Sequence, residues 1–548
     1  MIDSAKTEVA GISALVERMA EVQVNMLDAR KCETPIQLGF FFDGTKNNVD
    51  VDEPRFAQSN VARLWRSYSN QPSRGIFSQY IPGVGTPFND IERKAEGWEG
   101  TGFGIGCEAR VLFALMQVLE FLNSAIGGNQ KLFTKIQKRI LCTCTDVTRR
   151  SDLNEILKLG RSRGLQECVE LRGAVREDFF RRELIKLERT MSSSPVRITQ
   201  CLIDVFGFSR GAAEARVFAN WLGKMLISGR LAGIPLTVRF IGLFDTVASA
   251  GLRSGILGAV TNTTRGHDGW ADSAYLRVDR SVRNCVHFVA MHEVRKNFPL
   301  EELAVDGRQP KHFIQIAYPG SHSDVGGGYE PGALGIAVAA DSRKISQLPL
   351  NHMYEYAVKA GVPLDKNLLR LWHPKIDPFA VDPELIQDYS KFLDASGRTS
   401  RRMHEWMEKY LAWRWQRRNS YSELNQVQQA KADRSLLVKS NRKLIFDAEY
   451  LIGQQGSGFL QSLSQSVAVL PFGAMANLVR DLPVQLDPEA ATVLKKAMGH
   501  GWIDKRITDF FDKYVHDSYA GFSAILEEPT GYWRYRRCFQ GTEKVLFA

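Results

Sequence analysis

The chain has 548 residues, 44% of them hydrophobic and 24% charged, with a formal net charge of +10 and a pI near 9.1. That much apolar side chain excludes a largely disordered protein, and the length suits one enlarged domain or two modules. Eight cysteines scattered from Cys32 to Cys538 do not form a disulfide scaffold and fit a reducing compartment, and the absence of a fixed repeat removes solenoids and propellers.

In chain order, Ile12, Leu15, Met19, Val22 and Met26 have helical spacing, which predicts a leading helix over 9–30 within an N-terminal segment 1–35. The start carries mixed charge and lacks the basic start followed by an unbroken apolar core of a secretory signal, and no window is long and apolar enough to span a bilayer. Residues 36–42 read as a buried strand stopping at Asp43-Gly44-Thr45. Glycine-rich stretches follow at 83–86 and 102–106, and then an apolar helix over 111–122. Cys142-Thr143-Cys144 reads as the alternation of a strand, since a one-residue gap is not zinc-ligand spacing. Apolar runs at 196–206, 238–244, 286–291 and 313–318 alternate with helical stretches. The expected fold is therefore α/β, a mostly parallel sheet of the α/β-hydrolase kind with helices on both faces, over residues 36–339. A mainly helical, basic module is expected over 340–500, and a C-terminal segment 501–548 that packs back on the first module.

Chemistry concentrates at Gly207-Phe208-Ser209-Arg210-Gly211. A strand precedes it and an Ala-rich helix follows, the context in which a serine is presented on a sharp turn. Gly207 and Gly211 relieve the crowding there. The bland reading is a serine that only caps the helix. A serine hydroxyl needs an imidazole to take its proton and a carboxylate to orient that imidazole. Asp245, at the end of the run 238–244, is the expected acid. His322, in the glycine-flanked loop after 313–318, is the expected base, with His516 as its competitor; His287 and His292 read as packed or solvated. Asp324 reads as a loop-stabilising residue. Backbone N–H groups of Arg210 and of the Gly44-Thr45 turn are the candidate oxyanion donors. This chemistry calls for no metal or organic cofactor.

Phe42-Asp43-Gly44-Thr45 with Asn47-Asn48, Gly83-Val84-Gly85-Thr86, Gly207 to Ala212, Phe244-Asp245-Thr246-Val247 and His322 to Gly328 occur in that order. Together they resemble the phospholipase effectors of bacterial type VI secretion that carry an α/β-hydrolase catalytic domain. The resemblance covers residues 36 to 335. It implies an antibacterial lipase with Ser209, Asp245 and His322 as a triad for phospholipid ester hydrolysis of the phospholipase A type. It also implies synthesis in the bacterial cytoplasm and export without a cleaved signal. A type VI secretion spike protein would carry the chain, a cognate immunity protein would neutralise it, and it would act on a phospholipid membrane surface at the periplasmic face of the target cell.

Between Arg398 and Lys443 stand twelve Lys/Arg against four Asp/Glu, interleaved with Trp406, Tyr410, Trp413 and Trp415. A solvated helical face is the ordinary explanation of such a run; a lipid-headgroup surface is the functional one. Residues 458–484 are the other candidate membrane contact, with core packing or a lid as rivals. Nucleic acid is not expected, because no zinc-finger or RNA-sheet motif accompanies the charge. A non-lipolytic serine esterase, or a degenerate hydrolase serving as a spike adaptor, remain the alternatives.

Overall fold

The computed structural model describes residues 33–545 apart from 96–105, 166–172, 248–272, 398–402, 454–487, 523–531 and a few single or paired positions. The expected helix over 9–30 and the candidate membrane segment 458–484 lie outside the described residues.

The described residues form ten strands: β1 (Glu33–Phe42), β2 (Ile76–Ile81), β3 (Arg197–Phe208), β4 (Arg230–Leu231), β5 (Ile234–Phe244), β6 (Asn284–Ala290), β7 (Leu300–Glu301), β8 (Phe313–Tyr318), β9 (Cys538–Gln540) and β10 (Glu543–Val545). The main sheet runs β2-β1-β3-β5-β6-β8, every pair parallel, with β4 antiparallel beside β5. Parallel strands covered on both faces have no polar side, which is why they read as continuous apolar runs. Successive residues of β1 and β3 serve opposite faces. Phe41, Phe206 and Phe208 point into one core, while Phe40, Phe42 and Val205 point into the other.

The helices divide accordingly. Helices α1 (Asn60–Ser67), α2 (Cys107–Ala125), α3 (Lys135–Thr143), α4 (Gly173–Ser192), α5 (Arg210–Met225) and the short α6 (His322–Gly326) belong to the first two-thirds of the chain. Helices α7 (Gln347–Lys359), α8 (Pro383–Ser396), α9 (Met403–Arg417), α10 (Arg434–Gly453), α11 (Pro488–Gly499) and α12 (Lys505–Tyr514) follow. Apolar side chains of α2, α3, α4 and α5 fill one face of the sheet, and those of α1 and α7 to α12 join the core on the other. A buried ion pair reinforces that second layer: Arg63 on α1 donates to both oxygens of Asp341, at 2.7 and 3.0 Å, and Lys344 reaches the same carboxylate at 2.6 Å.

One expectation needs correction, and one reading left open is narrowed. Cys142 and Cys144 end a helix rather than alternate on a strand. Thr134 and Gln137 form a reciprocal cap that nucleates α3, and Cys142 is buried with its sulfur 3.6 Å from that of Met116. Of the four aromatic residues named in the basic segment, three face inward and Trp415 is half-buried. Trp406, Tyr410 and Trp413 are buried, Trp413 Nε1 donates to Asp512 at 2.7 Å, and the fully buried Arg414 lies 3.2 Å from Asp517 with its guanidinium over the Tyr421 ring. The alternation of charge and indole therefore reflects a helix with an apolar stripe packed inward. Among the described residues no helix is long and apolar enough to cross a membrane. Trp413→Ala should lower the unfolding free energy by about 3–5 kcal/mol, the usual cost of emptying a large aromatic from a core, as read by urea denaturation.

Candidate functional site

In an open parallel sheet the crevice lies outside the strand C-termini where the strand order reverses. Here the chain goes from β1 to β2 on one side and then to β3 on the other, so the reversal falls between β1 and β3. The loop Asp43–Thr45 leaves β1 at that point and Ser209 leaves β3.

Ser209 has φ 59° and ψ −127°, a region that side-chain-bearing residues rarely occupy and that costs about 1–3 kcal/mol. Its side chain makes no capping bond to α5, so the simple helix-cap reading does not describe it. Neighbours hold the conformation: Ser209 N–H donates to Phe244 C=O at 3.0 Å, and its carbonyl accepts from Val247 N–H at 3.1 Å. The two flanking glycines permit the approach. A Cβ on Gly207 would lie 2.6 Å from the Ala212 Cα, and one on Gly211 2.3 Å from the Asp43 carbonyl oxygen.

Asp245 stands one residue beyond β5 at φ 41°, fully buried. Its Oδ2 lies 2.5 Å from His322 Nδ1, and its Oδ1 accepts from Ala290 N–H at 2.8 Å. Arg536, from the segment just before β9, donates to both oxygens at 2.9 and 2.6 Å. Burial alone would raise the Asp245 carboxyl, but the Arg536 charge and the His322 bond outweigh it and hold the group well below the usual carboxylate range. An ionised carboxylate only accepts, so Nδ1 of His322 carries the proton and Nε2 is the free base. Burial also lowers the His322 imidazole, opposed by the bond and charge of Asp245.

The expected glycine loop around His322 is a five-residue helix, α6, capped by Ser321 with Asp324 at its third position. Glu293 fixes its start: one oxygen accepts from the His322 N–H at 3.2 Å, and Arg295 bonds both carboxylate oxygens at 2.7 and 2.8 Å. Phe208 and Phe298 pack against the His322 ring, with centroids 4.6 and 4.9 Å away. No hydrogen bond joins Ser209 to the His322 ring among the described residues, a contact that in unliganded hydrolases is commonly long.

His516 lies with Asp324, its Nδ1 2.5 Å from that carboxylate and its ring stacked on Tyr329 at 3.8 Å. His287 and His292 are buried: Thr246 N–H donates to His287 Nε2 at 3.1 Å and Gly320 N–H to His292 Nδ1 at 2.8 Å. The Gly44 N–H donates to its neighbour Asp43 Oδ1 at 2.7 Å, so that amide is already engaged, whereas Arg210 Nε reaches Thr45 Oγ1 at 2.7 Å and ties the two candidate donor loops together. Asp43 itself, buried and bonded by Tyr80 Oη at 2.5 Å, is pushed up to about 7 by desolvation. Three neighbours of the candidate site were given no role by the sequence: Arg536, Glu293 and Asp43. Only Asp43 stood inside a recognisable block.

A mostly parallel sheet with a strained serine between strand and helix and a buried carboxylate–imidazole pair beside it belongs to the α/β-hydrolase class of architecture. Residues 37–230 and 230–356 match the family described as "T6SS, Phospholipase effector Tle1-like, catalytic domain". The chain belongs to that family of type VI secretion phospholipase effectors, hydrolases delivered into a target cell. A crystal structure of an uncharacterized protein from Pseudomonas aeruginosa shares the fold at a TM-score of 0.68, with 24% identity over 98% of this chain and 83% of that one. The structure of the Tle1 effector bound to the VgrG spike from the Type 6 secretion system aligns at a TM-score of only 0.36, with 18% identity over 66% of this chain and 79% of that one. No curated protein matches the chain.

Gly211→Val should destabilise the protein by about 1–3 kcal/mol or more and displace the serine turn, because backbone carbonyls cannot move aside. Gly223→Ala on the same helix, where a Cβ meets nothing within 4 Å, should be neutral or stabilising by up to about 1 kcal/mol. Thermal unfolding of both variants distinguishes close approach from helix propensity.

Proposed function

We propose that the chain is a serine hydrolase of the phospholipase A type, cleaving acyl esters of membrane phospholipids with Ser209, His322 and Asp245 as its triad. The observation that carries this reading is the buried Asp245–His322 pair at 2.5 Å, its carboxylate just past β5, the strand beside the one that ends in the strained Ser209 turn, and its imidazole at the start of α6. His322 Nε2 takes the Ser209 proton as Oγ attacks the acyl carbonyl. The oxyanion rests on the N–H groups of Arg210 and Thr45, with Gly207 and Gly211 giving the turn its room. The imidazolium then protonates the departing lysophospholipid alkoxide. Water, deprotonated by the same imidazole, opens the acyl-enzyme and releases the fatty acid.

Family membership supports a phospholipid substrate over a soluble ester. It also supports three partners: a phospholipid surface met peripherally, a type VI secretion spike protein that carries the chain, and an immunity protein in the producing cell. The site of action is then the periplasmic face of the target membrane. The division into an N-terminal segment, a catalytic module over 36–339, a helical module and a returning C-terminal segment is proposed on the same footing.

Fatty-acid release from vesicles of defined phospholipid is the test. Ser209→Ala and His322→Ala should each lose about 10³-fold or more in kcat, and Asp245→Asn about 10⁴-fold through the wrong imidazole tautomer. Products should be a free fatty acid and a lysophospholipid. Unchanged turnover in Ser209→Ala would reject the triad, and a diacylglycerol product would reject the phospholipase A assignment.

A further inference from the structure

We infer that Arg536 is a positioning residue for this hydrolysis, clamping both oxygens of the Asp245 carboxylate so that it faces the His322 ring; the inference rests on the triad proposed above. The clamp is delivered by a relay of short strands. Thr246, next to Asp245, accepts from Glu301 N–H of β7 at 3.0 Å. Strand β7 pairs in parallel with β9, Leu300 opposite Cys538 and Glu301 opposite Phe539. Leu300 N–H also donates to Arg537 C=O at 2.8 Å. Arg536 is thereby set 291 residues along the chain from the acid it holds. It is buried, and its other bonds go to main-chain carbonyls, Nε to Phe298 at 2.5 Å and Nη1 to Ala290 at 3.1 Å. A planar fork with four placed bonds fixes the carboxylate in angle as well as in position.

The electrostatic consequence follows from net charge. Without Arg536, the neutral imidazole and the ionised carboxylate form a buried pair of charge −1, which takes up a proton readily; with the guanidinium the cluster is neutral and resists one. The other groups facing it do not alter the sign. Glu293 is paired with Arg295 and held down to about 2 despite its burial. Asp324 on α6 is bonded to His516, burial and Arg216 keep His287 on β6 neutral, and burial pushes the Cys538 thiol up to about 12. Arg536 therefore keeps His322 an unprotonated base at lower pH than the dyad alone would allow.

The test is the pH profile of kcat/KM on phospholipid vesicles for the full chain, with thermal unfolding as the folding control. Wild type should show its acid limb below about 6.5, the ordinary imidazole value. Arg536→Met should move that limb up by about one unit or more, so its activity relative to wild type at about pH 5 falls roughly tenfold below the same ratio at about pH 8. Arg536→Lys should keep the limb, since it keeps the charge, but lose plateau kcat because an ammonium cannot hold both oxygens. A folded Arg536→Met with the wild-type limb, a folded Arg536→Lys with the wild-type plateau, or a wild-type limb above the ordinary imidazole value would each overturn the clamp. Ser209→Ala measured alongside separates the two readings. Its inactivity with an unshifted Arg536→Met sinks only the clamp, whereas its activity sinks the triad itself.

Discussion

A carboxylate sealed from water must find all its partners in protein, and an unsatisfied one costs several kcal/mol. Asp245 meets that demand from three separate pieces of chain. The end of β6 supplies the Ala290 N–H, α6 supplies the His322 imidazole, and the segment before β9 supplies the Arg536 guanidinium. Removing Arg536 would leave the carboxylate without a counter-charge, and removing either other donor would leave one of its bonds unmade, so the elements converging there are fixed relative to one another by polar contacts as much as by packing. The imidazole consequently meets its orienting group in one geometry and one tautomer.

The same convergence explains how the backbone tolerates strain. Ser209 and Asp245 both adopt positive φ just past the ends of adjacent strands. Their N–H groups continue the sheet's ladder, to Phe244 C=O and Phe288 C=O, before the chain turns away. Strand pairing therefore extends to the residue that bears the functional group and stops there. Register does the remaining work, with Phe208 opposite Phe244 and Phe244 opposite Phe288. The serine and the carboxylate leave the sheet at the same height.

What could be read from the sequence was whatever local physics dictates. Buried parallel strands announce themselves as apolar runs, and the glycines around Ser209 are required by backbone contacts one turn away, so β1, β3, β5, β6 and β8, the serine turn and the exit of Asp245 were visible, whereas the edge strand β2 was not, its apolar run being broken by Ser78 and Gln79. Arg536 was not, because its role depends on a three-stranded sheet of two- and three-residue strands that leaves no periodic trace. Glu293 was hidden for a similar reason, since it acts on a main-chain N–H rather than in any motif. The basic, Trp-containing stretch misled in the opposite direction. Composition left a surface open, but charge and indole at helical spacing place Trp406, Tyr410 and Trp413 inside, with Arg414 drawn in by Asp517 and Tyr532.

Among the described residues two histidine–carboxylate pairs have the same 2.5 Å separation, and proximity cannot tell them apart. Their surroundings can. Asp324 is also the capping residue of α6, accepting from Ser321 N–H and Oγ at 2.8 and 2.9 Å, and its partner His516 is pinned flat on Tyr329. His516 Nε2 is buried with no hydrogen-bond partner among the described residues. The ring fastens the C-terminal region to the helix that begins with His322. In the other pair the carboxylate is held by a guanidinium and the imidazole lies between Phe208 and Phe298, beside the serine turn. One pair ties the C-terminal region to the short helix whose first residue carries the other pair's imidazole, and both depend on residues beyond 515 that no motif near Ser209 announces.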